Sequence, residues 1–305
     1  MSRGQMTDCN DLAVSPTPAS RSTVPDSRRR LAVIAAAAMV AVTGAHEARS
    51  DPFPLWEAGA GVAIVDFPDY RGSDQRHTYA LPIPYVVYRG ERLKIDRQKV
   101  RGLLFSSDIA ELDLSMNGSV PVRSRDNRAR EGMPDLDPTL EIGPSLNVYL
   151  YRGASNKMSV ELRLPLRAVE ATDLRSVHHE GWLFHPHVNI DLKDVVRPGW
   201  RLGLLAGPLF GSRRYHNYFY GVAPAFATPA RPAYEARGGY SGAQFIGGVS
   251  KRFENYWVGA FVKADTLHEA TFAESPLVKR KYAFTGGVAV AWVFAKSAEM
   301  VEARE

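Results

Sequence analysis

From Thr139 to Tyr151 the chain alternates: Leu140, Ile142, Pro144, Leu146, Val148 and Leu150 are interleaved with Thr139, Glu141, Gly143, Ser145, Asn147, Tyr149 and Tyr151. A two-residue period belongs to an extended strand with one apolar face. The next segment repeats it, with Met158, Val160, Leu162, Leu164, Leu166 and Ala168 set against Lys157, Ser159, Glu161, Arg163, Pro165 and Arg167. A helix would not gather Glu161, Arg163 and Arg167 on one side. The same template predicts strands at 55–66, 78–89, 91–98, 99–107, 108–118, 138–151, 157–169, 181–192, 199–211, 241–253, 255–266 and 282–294. That makes twelve strands, several of them as long as the ~9–11 residues a tilted strand needs to cross a bilayer. No apolar run after Val42 approaches the ~20 residues of a membrane helix.

The links carry a second, independent pattern. Short links (Arg89-Gly90, 152–156, 193–198 and the turn at Glu254) alternate with long ones (68–77, 119–137, 170–180, 212–240 and 267–281). Outer-membrane barrels show this rhythm, with short periplasmic turns and longer outer loops. The link between the third and fourth strands breaks it, being short where an outer loop is due. Pro144, Pro165, Pro186 and Pro208 fall inside four consecutive predicted strands, although proline removes a ladder donor. All four lie in the outer half of the wall, which suggests a belt of bulges at one height.

Alternation does not say which face meets lipid, since a lipocalin-like barrel or a β-sandwich shares it. Three features place the apolar face outside. Aromatic residues (Trp56, Tyr79, Tyr85, Tyr88, Tyr149, Tyr151, Trp182, Trp200, Tyr256, Trp257, Tyr282 and Trp292) cluster near strand ends, as an interfacial girdle requires. Twelve long strands exceed a small soluble barrel. Val288, Val290, Trp292 and Phe294 alternate up to a terminal aromatic, resembling the last-strand signal read by outer-membrane assembly machinery. The expected fold is all-β, a transmembrane antiparallel up-and-down barrel.

The first fifty residues place the chain in its compartment. Arg28, Arg29 and Arg30 precede an apolar run from Leu31 to Val42, followed by small residues, the order of a secretory signal. Cleavage after Ala45 or after Ser50 fits, and Ser50 is preferred. A faint twin-arginine pattern at Ser27 to Leu31 is outweighed by the cargo, because a barrel with an apolar exterior could not be held folded before export. The expected parts are 1–50, extension and cleaved signal; 51–294, barrel; and 295–305, a short periplasmic tail. Cys9, the one cysteine, lies in the part to be removed, so the mature chain needs no disulfide and has no thiol chemistry. The chain has 38 basic and 33 acidic residues; the mature part keeps 32 and 29, a balance that is no nucleic-acid signature.

Three blocks strongly resemble the start of the MipA/OmpV family, the MltA-interacting outer-membrane proteins: Trp56-Glu57-Ala58-Gly59-Ala60-Gly61, Pro68-Asp69-Tyr70-Arg71-Gly72-Ser73-Asp74, and Leu81-Pro82-Ile83-Pro84-Tyr85-Val86-Val87-Tyr88-Arg89-Gly90. Looser similarity continues at Glu141 to Pro144, Glu161 to Pro165, His185 to His187 and Tyr218 to Val222. The resemblance implies an outer-membrane barrel in contact with lipid. It also implies a scaffold joining a lytic murein transglycosylase to a penicillin-binding synthase during peptidoglycan growth. Other members are linked to solute entry, osmotic response or adhesion, so the family fixes fold and location better than activity. The chain departs at its end, where Ala295 to Glu305 extend beyond the terminal aromatic.

Candidate chemistry is sparse. Glu141, Glu161, Arg163, Arg167, Asp191 and Arg201 point with the polar faces, so both signs of charge are expected to line the lumen. His185 and His187 would share the lumen face, with His178 and His179 in the preceding outer loop. No carboxylate or thiol spacing completes a metal set, so a solvated cluster is expected. Asp69, Tyr70, Arg71, Gly72 and Asp74 mark the first outer loop, as functional residues or as a turn held by Asp and Gly. No nucleophile elbow, phosphate loop or zinc-protease motif is present, and no cofactor or enzymatic activity is expected. The expected function is a non-enzymatic scaffold; the alternatives are a narrow solute channel or an outer-loop adhesin.

Overall fold

The computed structural model describes residues 53–90, 93–95, 100–107, 109–155, 157–173, 175–195 and 197–301. The expected signal segment and cleavage sites lie outside the described residues. Fifteen strands follow one another: β1 (Phe53–Pro54), β2 (Trp56–Pro68), β3 (Arg76–Arg89), β4 (Leu93–Ile95), β5 (Val100–Ser106), β6 (Ala110–Ser119), β7 (Thr139–Arg152), β8 (Met158–Thr172), β9 (Val177–Phe184), β10 (His187–Lys193), β11 (Trp200–Gly211), β12 (Gly239–Arg252), β13 (Tyr256–Thr266), β14 (Tyr282–Lys296) and β15 (Met300–Val301). Among the described residues one α-helix, α1 (Arg213–Tyr220), lies in the segment between β11 and β12.

Strands β2 to β14 form one antiparallel sheet that closes on itself, because β8 pairs with both β9 and β10, and β11 does the same. β9 and β10 are two halves of one wall position, separated at His185-Pro186. Counted so, the wall has twelve positions, each coinciding with one of the twelve segments read from the sequence. β1 and β15 pair with each other, Phe53 opposite Val301 and Pro54 opposite Met300, so the chain beyond Phe294 continues β14 to Lys296 and then folds back.

The four prolines do form a belt. β9 and β10 keep one register along β11, which sets Pro186 beside Pro208. On the β7–β8 side, Ile142 pairs with Ala168 and Ser145 with Pro165, leaving Gly143 and Pro144 unpaired there. β11 shifts register between Pro208 and Phe210. Pairing is therefore interrupted at one height on neighbouring strands, although the β6–β7 ladder runs unbroken through Pro144 opposite Leu114. Only one interruption is a true bulge. Gly143 lets the strands close up, since a methyl there would sit 2.0 Å from the Leu166 carbonyl oxygen.

The outer surface carries Val62, Ile64, Val86, Leu140, Leu146, Leu166, Phe245, Val262, Val288 and Val290, while Glu111, Asp113, Glu141, Asn147, Glu161, Arg163 and Arg167 are buried inside. This is the inside-out distribution of a lipid-embedded barrel. The polar interior is uneven, however. β6 to β10 supply much of it, whereas the middle of β2 and β14 alternates large outside with small inside: Val62 and Ile64 outward, Gly61 and Ala63 inward. There the small inward residues leave room for aromatic ones. Tyr85 and Trp257, expected in the girdle, instead pack inward with Val87, Ala291 and Val293.

Candidate functional site

The polar half of the lumen is a set of closed charge pairs. Arg167 donates to Glu141 at 2.7 Å and to Ser115 at 3.0 Å, and Asn117 donates to the same Glu141 oxygen. Arg163 and Glu161, two residues apart on β8, pair through Nε at 2.8 Å. Asn147 donates to Asp113 at 2.9 Å and receives a bond from Ser145. Asp191 accepts from Asn189, and Arg201 stands in register with Lys193, so these two occupy the periplasmic end. Each of these carboxylates thus meets a donor, which offsets the cost of removing it from water.

Toward the periplasm Glu57 closes a second group. Arg252 donates to it through Nε at 3.0 Å and Nη2 at 2.9 Å, Arg89 through Nη2 at 3.0 Å, and the Tyr85 hydroxyl at 3.3 Å. Arg89 also donates to the Pro54 carbonyl at 2.8 Å, which ties the β1–β15 pair to the wall.

The histidines separate. His185 and His187 face the lumen with ring centroids 4.6 Å apart, and His185 Nε2 is buried without a partner. His178 and His179 lie in β9, not in the preceding loop as expected: the strand begins at Val177 because Glu170 of β8 reaches His179 Nδ1 at 2.7 Å and extends the pairing. Among the described residues no group of three or more His, Cys, Asp or Glu side chains is placed to hold a metal ion.

The long links do not wave free. Loops 69–75, 120–138, 212–238 and 267–281 pack on one another around Tyr70, Val122, Leu136, Tyr220, Val222, Leu267, Phe272 and Leu277, a second hydrophobic core above the barrel. Tyr220 and Phe272 stack with centroids 3.7 Å apart. Helix α1 supplies Tyr220; Ser212 caps its N-terminus by accepting from Tyr215 N, and its buried face is Tyr215, His216 and Tyr220. The sequence signal was there, a serine before an aromatic run at helical spacing, but a two-period template passes over it.

The first-loop motif is the keystone of this cap. The Tyr70 hydroxyl donates to Leu277 O at 2.8 Å, and the Tyr220 hydroxyl donates to Arg71 O at 3.0 Å. Arg71 turns down into the barrel mouth, donating to Asp265 at 2.9 Å and to Ser241 O at 2.8 Å. Gly72 O accepts from Lys279 N and Arg280 N. Asp69 accepts from Asn127, and Asp74 pairs with Arg128 at 3.2 Å. The motif therefore joins three loops to the wall: Asp69 and Gly72 make a turn, and Tyr70 and Arg71 reach from that turn to the cap and the barrel rim.

Sequence reasoning found no serine–histidine pair, but the fold makes one. Ser241 and His216 are hydrogen-bonded through Oγ and Nε2, and His216 Nδ1 lies 2.5 Å from Arg237 O. Both residues are fully buried, and the pair fastens α1 to the barrel rim. Burial pushes the His216 imidazole down to about 4.

A closed antiparallel wall with lipid-facing apolar side chains, charge pairs inside and a packed loop cap defines an outer-membrane β-barrel. The family model of the MltA-interacting protein MipA matches residues 58–294, and the chain belongs to that family. No protein with a curated description matches the sequence. Similar solved structures are an outer membrane channel from Pseudomonas putida F1 (12% identity, 82% of this chain and 100% of that one, TM-score 0.43) and the NanC porin (7% identity, 78% and 98%, TM-score 0.34).

Proposed function

We propose that the protein is a non-enzymatic scaffold, working from its periplasmic face to hold a lytic murein transglycosylase beside a penicillin-binding synthase. The observation behind this reading is the capped mouth: loops with their own hydrophobic core, pinned to the wall through Arg71 and Asp265, stand over a lumen that carries buried charge pairs. An open solute pore is poorly served by that arrangement. The family description, MltA-interacting, names a partner for the relative it was written for and supports the same direction. The β1–β15 pair adds a short ordered feature on the periplasmic side, where such a partner would be met. A narrow channel is the second reading, favoured by the small residues Gly59, Gly61 and Ala63 on the inner face of β2.

Co-purification from detergent-solubilised membranes tests the first reading. A lytic transglycosylase should be retained by the full chain and lost when residues 297–305 are deleted. Retention of neither enzyme, together with a steady unitary current in planar bilayers, would replace the scaffold by the channel.

A further inference from the structure

The wall is not of equal height all round. β3 is 14 residues long, but among the described residues its pairing with β4 involves only Tyr88 and Arg89. Among the same residues β5 meets β6 only from Leu103 to Ser106, opposite Glu111 to Asp113. The twenty residues between Arg89 and Ala110 must supply two strands and a turn, too few to match β3 along its length. This accords with the third-to-fourth link, which breaks the loop rhythm: the described part of the β4–β5 ladder, Leu93–Ile95 with Val100–Gly102, meets only the lower end of β3.

Burial records the consequence. In the lower part of β3, Tyr85 and Val87 are buried between exposed neighbours, but Arg76 through Pro82 are exposed on both faces. β6 behaves alike: Glu111 and Asp113 are buried, and Met116 through Ser119 are all exposed. Among the described residues, Arg76–Pro84 of β3 pair on the β2 side only. Above them Gln75 donates to Asp126 O at 2.8 Å and accepts from Arg128 N at 2.6 Å, so the cap bridges the two strands.

The sequence of β3 treats this edge as an edge. Pro82 and Pro84 fall in a ladder with β2 that runs without a register shift from Trp56 to Pro68. Unbroken pairing requires both proline nitrogens to point away from β2, which removes two donors from the open side. Proline in a sheet belongs on such edges, and an edge within hydrocarbon is costly unless its donors are few or satisfied.

We infer that the barrel wall opens sideways between the outer halves of β3 and β6, and that the slot admits the acyl chain of an outer-leaflet lipid into the lumen. Its height is that of the hydrocarbon, since Val62 and Ile64, the partners of Pro82 and Ala80, face outward and are half exposed. Its inner lining on β3 is apolar: Tyr79, Leu81 and Ile83 share the inward face, and Leu81 is 37% exposed there. The exposed Arg76–Asp66 pair and His77–Asp69 pair sit at its upper end, at headgroup level. With the mouth capped, the side is the route by which a molecule dissolved in the membrane reaches the lumen.

Single-cysteine variants in a Cys9→Ser background, nitroxide-labelled and reconstituted in phospholipid vesicles, test this through collision with oxygen and with a water-soluble nickel chelate. Leu81→Cys should show the high oxygen and low nickel accessibility of the lipid-facing Ile64→Cys. Leu209→Cys, inward and buried on β11 across the barrel, should be low in both. Ile83→Cys repeats the measurement should Leu81→Cys not assemble. Nickel accessibility above that of oxygen at 81 and 83, or protection from both reagents, would overturn the proposal. Neither outcome bears on transglycosylase binding, so this inference and the scaffold reading stand or fall separately.

Discussion

Arg71 of the first outer loop places Nε 2.9 Å from Oδ1 of Asp265, 194 positions further along the chain on the inner face of β13. The carboxylate side chain is 1% exposed, with Lys263 a more distant 3.7 Å away and Gln244 donating at 3.0 Å. Removing the guanidinium by Arg71→Ala leaves a buried charge with weak support, at a cost near the ~3 kcal/mol lower end for breaking such a pair. The urea midpoint in vesicles should fall, and unitary current should appear as the cap loosens. A variant as stable and as silent as the parent would show that the pin holds nothing.

Gly72 adopts φ +98°, and a methyl there would lie 2.9 Å from the Leu267 side chain. Gly72→Ala combines left-handed backbone strain with that crowding, about 1–2 kcal/mol from the backbone alone. Because the residue belongs to the cap, trypsin should cut the outer loops faster in intact cells while the barrel itself stays heat-modifiable on gels. Unchanged cleavage would mean the loop relaxes freely.

His216 supplies a pH dependence. Burial is the main cause of its lowered value, about 4, with the Arg237 carbonyl opposing and the Arg71 charge adding to the shift. An unfolded cap takes up a proton near the ordinary ~6.5, the folded one only near 4, so the unfolded state binds more protons between those values. Cap stability is therefore complete above pH ~6.5 and declines as the pH falls toward 4. Ser241, Thr271 and Phe272 face the ring and cannot neutralise an imidazolium. Proteolysis of the outer loops should accelerate between pH 7 and 4.5 in the parent, and His216→Gln should flatten the response.

Pro82 and Pro84 guard the open edge of β3, and Pro82→Val with Pro84→Val returns two N–H donors to it. Edge-to-edge pairing between barrels then becomes available. Cross-linking in vesicles should trap more dimer than in the parent. Equal monomer fractions would indicate that the edge is already covered.

The alternation of residues such as Leu140, Ile142 and Leu146 determined the strands and their number, because a two-residue period is a local property of each segment; the lipid-facing side came from the aromatic positions, the strand lengths and the terminal aromatic. Proline positions and loop lengths were equally legible, down to the one short link that marks the lower wall. The sequence by itself also carried the Asp69 to Asp74 motif, but not its work. That Arg71 meets Asp265, that His216 meets Ser241, and that Tyr70, Tyr220 and Phe272 share one core depend on four loops distant in sequence folding over the same opening. The inward side of β2 was hidden for a related reason. Gly61 and Ala63 are neither polar nor bulky, and only the closed wall, with Trp257 and Tyr85 pointing into the space they leave, decided what that face is for.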